Sequence, residues 1–251
     1  AGLIVGVVTL TGLGLKFSAI VLNYADSLTQ GTTGLLSAVG VEITKSLVHD
    51  VKLLYTAIFT SLIVWIVGLA VPVTASYIIC AVIAAPALIT LDVPDFAAHM
   101  FIFYYAVLSE VSPPTALSPF AAAAITGGDP YKTTLQSWKY TMPAFLVPFM
   151  FVLDPLGLNL LLQGSFQALA KASVADIVTV SVTAMIGIAA LAGGMQAWFF
   201  KQTTRLERWL LIIAGLALVY PKPAFDYFGM ALMVLVIALQ LLRKPAQPAA
   251  G

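Results

Sequence analysis

The chain has 251 residues, 61% of them hydrophobic and only 9% charged, with a mean hydropathy of +1.00. Soluble domains carry about 25% charged residues, so there is too little polar surface to coat a water-soluble globule, and the composition points to an integral membrane protein. A formal net charge of +1 gives no handle for nucleic acid, and a single cysteine, Cys80, in an apolar run excludes an internal disulfide framework.

A membrane helix needs about 20 mostly apolar residues. Residues 1–25 qualify, with Gly2, Gly6, Gly12 and Gly14 as small contact positions and Lys16 as the lone cation. The run begins as if in mid-helix, with no basic region before it and no small-residue cleavage site after it; an upstream part is therefore expected. Residues 26–52 mix Glu42, Lys45, His49, Asp50 and Lys52 with apolar residues, and read as a loop carrying an amphipathic helix at the interface. Residues 53–91 form a long apolar run interrupted at 68–74. A turn follows at 92–95, where Pro94 opens the next helix and Asp95 suits its first turn. Residues 96–125 form a second long run, interrupted at 109–115 and stopped by Gly127, Gly128, Asp129 and Pro130. Residues 137–153 are again hydrophobic, with Pro143 and Pro148 inside and Asp154 and Pro155 closing them; residues 158–162 read as a dip into the interface. Three further spans are expected at 174–191, 206–220 and 224–242, the second short enough to need tilt or extension. Residues 243–251 read as a disordered tail.

Cytoplasmic loops are enriched in Lys and Arg. Alternation counted back from the C-terminus puts Lys132, Lys139, Lys201, Arg205, Arg208, Arg243 and Lys244 on one side, against Lys171 and Lys222 on the other. The C-terminus is therefore expected to be cytoplasmic. Upstream of Gly127 the parity stays open, because each broken segment is either a kinked span or a re-entrant hairpin.

The two interruptions share Pro-x-Thr-Ala, at Pro72 to Ala75 and at Pro113 to Ala116. Breaking a helix at membrane depth frees backbone groups that no water satisfies. Pro72 removes a donor and disfavours helical geometry at Val71, and Gly68 permits unusual backbone angles. The freed carbonyls, with the hydroxyls of Thr74 and Ser76, are ligands for a small hard cation such as Na⁺, and the next half-helix presents its positive end to an anion. The same logic applies to Ser112, Pro113, Pro114, Thr115 and Ser118. Secondary transporters build midplane sites from discontinuous helices in this way. Against this stands a plain structural reading, because Pro and Gly often only kink membrane helices.

Glu110 adjoins the second break. An ionisable residue at membrane depth is a functional candidate, to neutralise a cation or carry a proton; the alternative is an interfacial position. His99 reads as an interface residue, and Trp65, Tyr104 and Tyr105 as packing or interface aromatics. Trp138 and Tyr140 beside Lys139, and Trp198, Phe199 and Phe200 beside Lys201, read as interfacial belts. There is no Gly-x-Ser-x-Gly, His-Glu-x-x-His or nucleotide-binding Gly-rich motif. No enzyme activity and no cofactor are expected; an ion gradient is the simpler energy source.

The stretches Val67-Gly-Leu-Ala-Val-Pro-Val-Thr-Ala-Ser-Tyr-Ile78 and Phe101-Ile-Phe-Tyr-Tyr-Ala-Val-Leu-Ser-Glu-Val-Ser-Pro-Pro-Thr-Ala-Leu117 resemble the large permease subunit of tripartite ATP-independent periplasmic (TRAP) transporters, most closely the fused-permease type. Residues 1–14, 121–130 and 140–155 fit the same pattern. The resemblance implies an all-α, polytopic elevator-type transporter with two inverted repeats. Residues 1–155 would be the second repeat, with a hairpin and an interrupted helix, and residues 156–242 a C-terminal transmembrane extension. It implies Na⁺-coupled import of small organic acids across the bacterial or archaeal inner membrane, from a periplasmic substrate-binding protein, with an N-terminal part or small membrane subunit as partner. Carried over, the breaks would line ion and substrate sites, with Thr74 and Thr115 among the Na⁺ ligands. Related chains often carry Gly at the position of Ala70 and Asp at that of Glu110. Two other readings stay open: an ion-coupled anion carrier working without a binding protein, and a non-transporting membrane scaffold.

Overall fold

The computed structural model describes residues 2–153, 161, 173–220 and 222–243. All regular elements among them are helical. Three helices, Lys45–Gly68, Val174–Gln196 and Pro223–Leu242, are long and apolar enough to cross a membrane, and the chain is an all-α, polytopic membrane protein.

The first helices depart from the sequence reading. Residues 1–25 are not one span: α1 (Gly2–Leu10) stops at Thr11 and Gly12, and α2 (Leu13–Ala38) begins after Gly12, which has φ +62°. That left-handed geometry suits glycine. Residues 26–52 are not an interfacial loop either. Helix α2 continues to Ala38, a short connection follows, and α3 (Lys45–Gly68) starts at the Thr44 cap, whose side chain accepts from Leu47 N. Asp26 does not end α2, because Lys52 of α3 lies 2.8 Å from its carboxylate. The Thr32 and Tyr55 hydroxyls, 2.7 Å apart, tie the same two helices. Lys16 is exposed.

After α3 the chain reverses. Leu69–Pro72 is non-helical, and α4 (Val73–Ile83) and α5 (Ala85–Ile89) return beside α3. At the far end, His49, Asp50 and Leu53 of α3 line one cavity with Leu91, Asp92 and Val93. The first broken segment is thus a hairpin with its tip at the break. Val73 and Thr74, expected inside the interruption, already belong to α4. A second, unforeseen break at Ala84 separates α4 from α5, which carries Pro86 in its first turn.

Helix α6 (Asp95–Leu108), opened by Pro94, runs back along α3, and a 3₁₀ turn (Ser109–Val111) brings it level with Gly68. After the second break comes α7 (Leu117–Thr126), which packs on α8 (Pro130–Thr141). Residues 137–153 are not one segment: α8 passes through a 3₁₀ turn (Met142–Leu146) into α9 (Val147–Leu153). Helix α9 packs on α6, with Phe149 edge-on to Phe101 at 5.5 Å between ring centroids. Because one return path covers α7 and then α6, the second break lies within a span, whereas the first marks a reversal. Leu53, Val64, Leu88, Phe101, Ile102 and Tyr105 form the buried core of this region. Tyr77 of α4 and His99 of α6 meet at 3.1 Å, so His99 ties these two helices together.

The remaining helices are α10 (Val174–Gln196), α11 (Arg205–Val219) and α12 (Pro223–Leu242). Helix α11 has 15 residues, about 22 Å at 1.5 Å per residue, and stays short. Glycines allow close approach: a Cβ on Gly215 would lie 2.5 Å from Leu191 Cγ and 2.8 Å from Gly187 O. Such small-residue contacts are how helices pack where lipid supplies no hydrophobic drive. At one end, buried Glu207 caps α11 with Thr204 and accepts from Gln240 Nε2 and Arg243. Lys201 Nζ donates to Gln240 O and Arg243 O, both at 2.7 Å, a cation placed where the helix dipole is negative. In the expected aromatic belt, Phe199 turns inward against this unit, while Trp198 and Phe200 stay exposed. This unit meets the first region through Lys222 Nζ, 2.8 Å from Asp50, and through Gln196 Nε2, which donates to Lys139 O at 3.1 Å. The expected closure at Asp154 and Pro155, the dip at 158–162 apart from Leu161, Lys171 and the tail beyond Arg243 lie outside the described residues.

Candidate functional site between the two interruptions

The two breaks, about 40 residues apart in sequence, face each other across one cavity of about 220 Å³. Gly68, Leu69, Ala70, Val71 and Pro72 line it from the hairpin tip; Ser109, Glu110, Thr115 and Leu117 line it from the broken span. Gly68 sets the approach. A Cβ there would stand 2.5 Å from Ser109 Oγ and 3.4 Å from Ser76 Oγ, so only glycine lets α3, α4 and the end of α6 meet so closely.

The chemistry of this cavity is largely main-chain. Pro72 has no N–H for the Gly68 carbonyl, and no described group donates to the carbonyls of Gly68, Leu69, Ala70 or Val71. On the other side Pro113 and Pro114, joined by a cis peptide bond, have no N–H, and the carbonyls of Glu110 and Val111 accept none among the described residues. Unpaired carbonyls at membrane depth are costly unless a ligand or water takes them. Glu110 lies among them, half-buried, and the ion pairs among the described residues do not include it. No Lys or Arg lines the cavity. Oxygen ligands and one carboxylate suit a hard cation. The free amide ends of α4 and α7 start at the two breaks and suit an anion.

The sequence-derived candidates divide. Gly68, Val71, Pro72, Glu110 and Thr115 line the cavity. Ser76 is buried beside it and its Oγ has no oxygen or nitrogen partner among the described residues, with the Cys80 thiol one turn on. Ser112 is buried, its hydroxyl donating to Leu108 O at 2.8 Å; it anchors the break from behind. Pro113 is half-buried and Pro114 exposed, and both shape the turn. Thr74 and Ser118 are exposed and do not line the cavity. Leu69, Ala70 and Leu117 fall inside the ranges 68–76 and 112–118 that the resemblance implied, without having been singled out, whereas Ser109 lies outside them. Ser109 was within reach: it precedes Ser112 by three residues, on the same side of a helix.

Taken together, these features are those of a membrane protein that holds two discontinuous helices against one shared cavity, the arrangement used by secondary transporters. Residues 1–156 match the family model of the tripartite ATP-independent periplasmic transporter, DctM component. The match covers more than half of the chain, and the chain belongs to this family of TRAP transporter permeases. Neither curated proteins nor solved structures yield a match.

Proposed function

We propose that this chain is the second repeat, with a C-terminal extension, of a Na⁺-coupled permease that imports small organic acids. The observation that carries the reading is the convergence of both interruptions on Glu110, with unpaired carbonyls on either side and no cation nearby. In this reading Na⁺ is held by carbonyls of the hairpin tip, Glu110 and the Thr115 hydroxyl. The substrate carboxylate is met by the amide ends of α4 and α7 and by the bound cation. Thr74 and Ser118, exposed on this chain, face a first repeat that completes the site. The binding protein delivers the acid from the periplasm, and the hairpin and broken span move together as the elevator. The Lys- and Arg-bearing ends support a C-terminus on the cytoplasmic side of the inner membrane.

The test is uptake by the complete permease, reconstituted with its periplasmic binding protein, with and without an inward Na⁺ gradient. Gradient-dependent uptake of a carboxylic acid that needs the binding protein is expected. Uptake indifferent to Na⁺ removes the coupling. Uptake without the binding protein favours a stand-alone anion carrier, and no uptake of any organic acid favours a scaffold.

A further inference from the structure

Between the family-matched region and the C-terminal unit runs an open groove of about 510 Å³, flanked by α3 on one side and by α11 and α12 on the other. A smaller cavity of about 240 Å³ shares Leu54, Leu216 and Tyr220 with it and reaches back to Phe149 of α9, the helix that packs on both α3 and α11. The walls are apolar and accessible: Leu54, Ile213, Leu216, Phe225 and Phe228 are each between 37% and 52% exposed. Helices α3 and α12 are both long and apolar enough to cross a membrane, so the phase that meets these walls is lipid.

One end of the groove is charged. Asp50 and Lys222 line it, paired at 2.8 Å, with side chains still 29% and 38% exposed. Asp50 lies one turn before Leu54 on α3, and Lys222 directly precedes α12. Ile213 is seven residues from Tyr220, so the apolar walls extend about 10 Å from this end, at 1.5 Å per residue. The groove thus has the polarity of a lipid, with a headgroup end and a chain end. Both charged groups keep bonding capacity. An ammonium has three donors and a carboxylate about four acceptor sites. Asp50 and the Tyr220 hydroxyl take one Lys222 donor each. Asp50 Oδ2 accepts from Lys222, while Oδ1 has His49 Nδ1 at 3.9 Å, beyond hydrogen-bond reach.

These two are the charged residues of the lining, one acid and one base. A purely anionic headgroup that meets Lys222 also meets the like charge of Asp50. A headgroup with a phosphate and a primary ammonium satisfies both by charge-assisted hydrogen bonds. A quaternary ammonium has no N–H to donate.

We propose that this groove holds one phospholipid of the ethanolamine type, its phosphate on Lys222, its ammonium on Asp50 and an acyl chain along Leu54, Leu216 and Phe228. The lipid joins the hairpin helix α3 to the C-terminal unit. The proposal rests on the membrane placement of the fold and not on Na⁺ coupling.

The experiment places the complete permease in phosphatidylcholine nanodiscs doped with one of three photoreactive phospholipids. They share a diazirine-bearing acyl chain and differ in headgroup: phosphoethanolamine, phosphocholine or phosphoglycerol. Labelled peptides are mapped by mass spectrometry. The ethanolamine probe is expected to label the Leu54 and Leu216 segments saturably, about two- to tenfold more than either other probe. Labelling at Val234, 63% exposed on α12 and outside the groove lining, should be equal for all three. Asp50→Asn should abolish the preference for ethanolamine over choline. Leu216→Trp, which fills the groove from an exposed position, should lower groove labelling by every probe. Equal labelling of the groove by the three probes marks ordinary annular lipid and overturns the proposal. So does a preference for phosphoglycerol, an absence of groove labelling, or an ethanolamine preference that survives in folded Asp50→Asn protein. The comparison of headgroups on the wild type decides the matter even where a variant fails to fold.

Discussion

Gly68→Ala probes the meeting of the two interruptions most directly. The added methyl stands 2.5 Å from Ser109 Oγ and 2.7 Å from Ser109 Cβ. Carbon contacts settle near 3.5–4.0 Å, so the tip and the broken span must separate by about 1 Å. Ser109 cannot swing aside freely: it is 1% exposed, and its hydroxyl donates to Ala106 O at 2.7 Å. Overpacking of this kind costs about 1–3 kcal/mol. Thermal unfolding in detergent should show that loss, and uptake should fall because the cavity opens. Ser109→Gly removes both clashing atoms. Alone it should destabilise by about 1 kcal/mol, as a glycine in a helical turn. Combined with Gly68→Ala it should recover about 0.5–3 kcal/mol relative to the sum of the single changes. Additive losses, or a Gly68→Ala protein as stable and active as wild type, would refute the close approach.

Four further outcomes are expected. Glu110→Gln should raise the half-saturating Na⁺ concentration for uptake about tenfold, because a carboxylate near a cation loses its charge; an unchanged Na⁺ curve removes Glu110 from the ion site. Thr115→Val should weaken Na⁺ activation about two- to tenfold, as loss of one ligating hydroxyl, and more than Thr74→Val, since Thr74 does not line the cavity of this chain; the reverse order would relocate the ion. Gly215→Ala should destabilise the C-terminal unit by about 1–3 kcal/mol, read by unfolding of the purified protein, because the methyl meets Leu191 and the Gly187 carbonyl. The hydrogen bond to Asp50 holds the Lys222 ammonium above the ordinary lysine value. A raised folded value means that its contribution is fully present below about pH 10, the unfolded lysine range, and is lost as pH rises through the higher folded value. The stability difference between wild type and Lys222→Gln should therefore be flat between about pH 6 and about pH 9 and shrink only in stronger base. With both partners partly exposed, the difference should stay below about 1 kcal/mol.

The interruptions were legible in the sequence because their cause is local: proline lacks a donor whatever surrounds it. Their different roles were not. Whether a break turns the chain back depends on Leu53 sharing one buried core with Leu88 and Leu91, more than thirty residues away. The extent of α2 was hidden for the same reason. Asp26 looks like a helix end until Lys52 is found beside it. The last three helices were placed within a few residues, since uninterrupted apolar runs bounded by Thr204, Pro223 and Arg243 carry their own limits. The charged end of the groove was out of reach, because Asp50 and Lys222, 172 residues apart, meet only through the fold.

A site whose ligands are peptide carbonyls has a mutational signature of its own. Replacing Leu69, Ala70 or Val71 by other side chains leaves their oxygens where they were, so a side-chain scan would pass over the ion ligands proposed above in silence. What exposes them is a change to the backbone itself: a proline that re-aims one carbonyl, or an ester in place of one amide that weakens it as an acceptor. Under the proposed function, side chains at the tip could vary without loss of the ion, provided that Gly68 and Pro72 hold the turn.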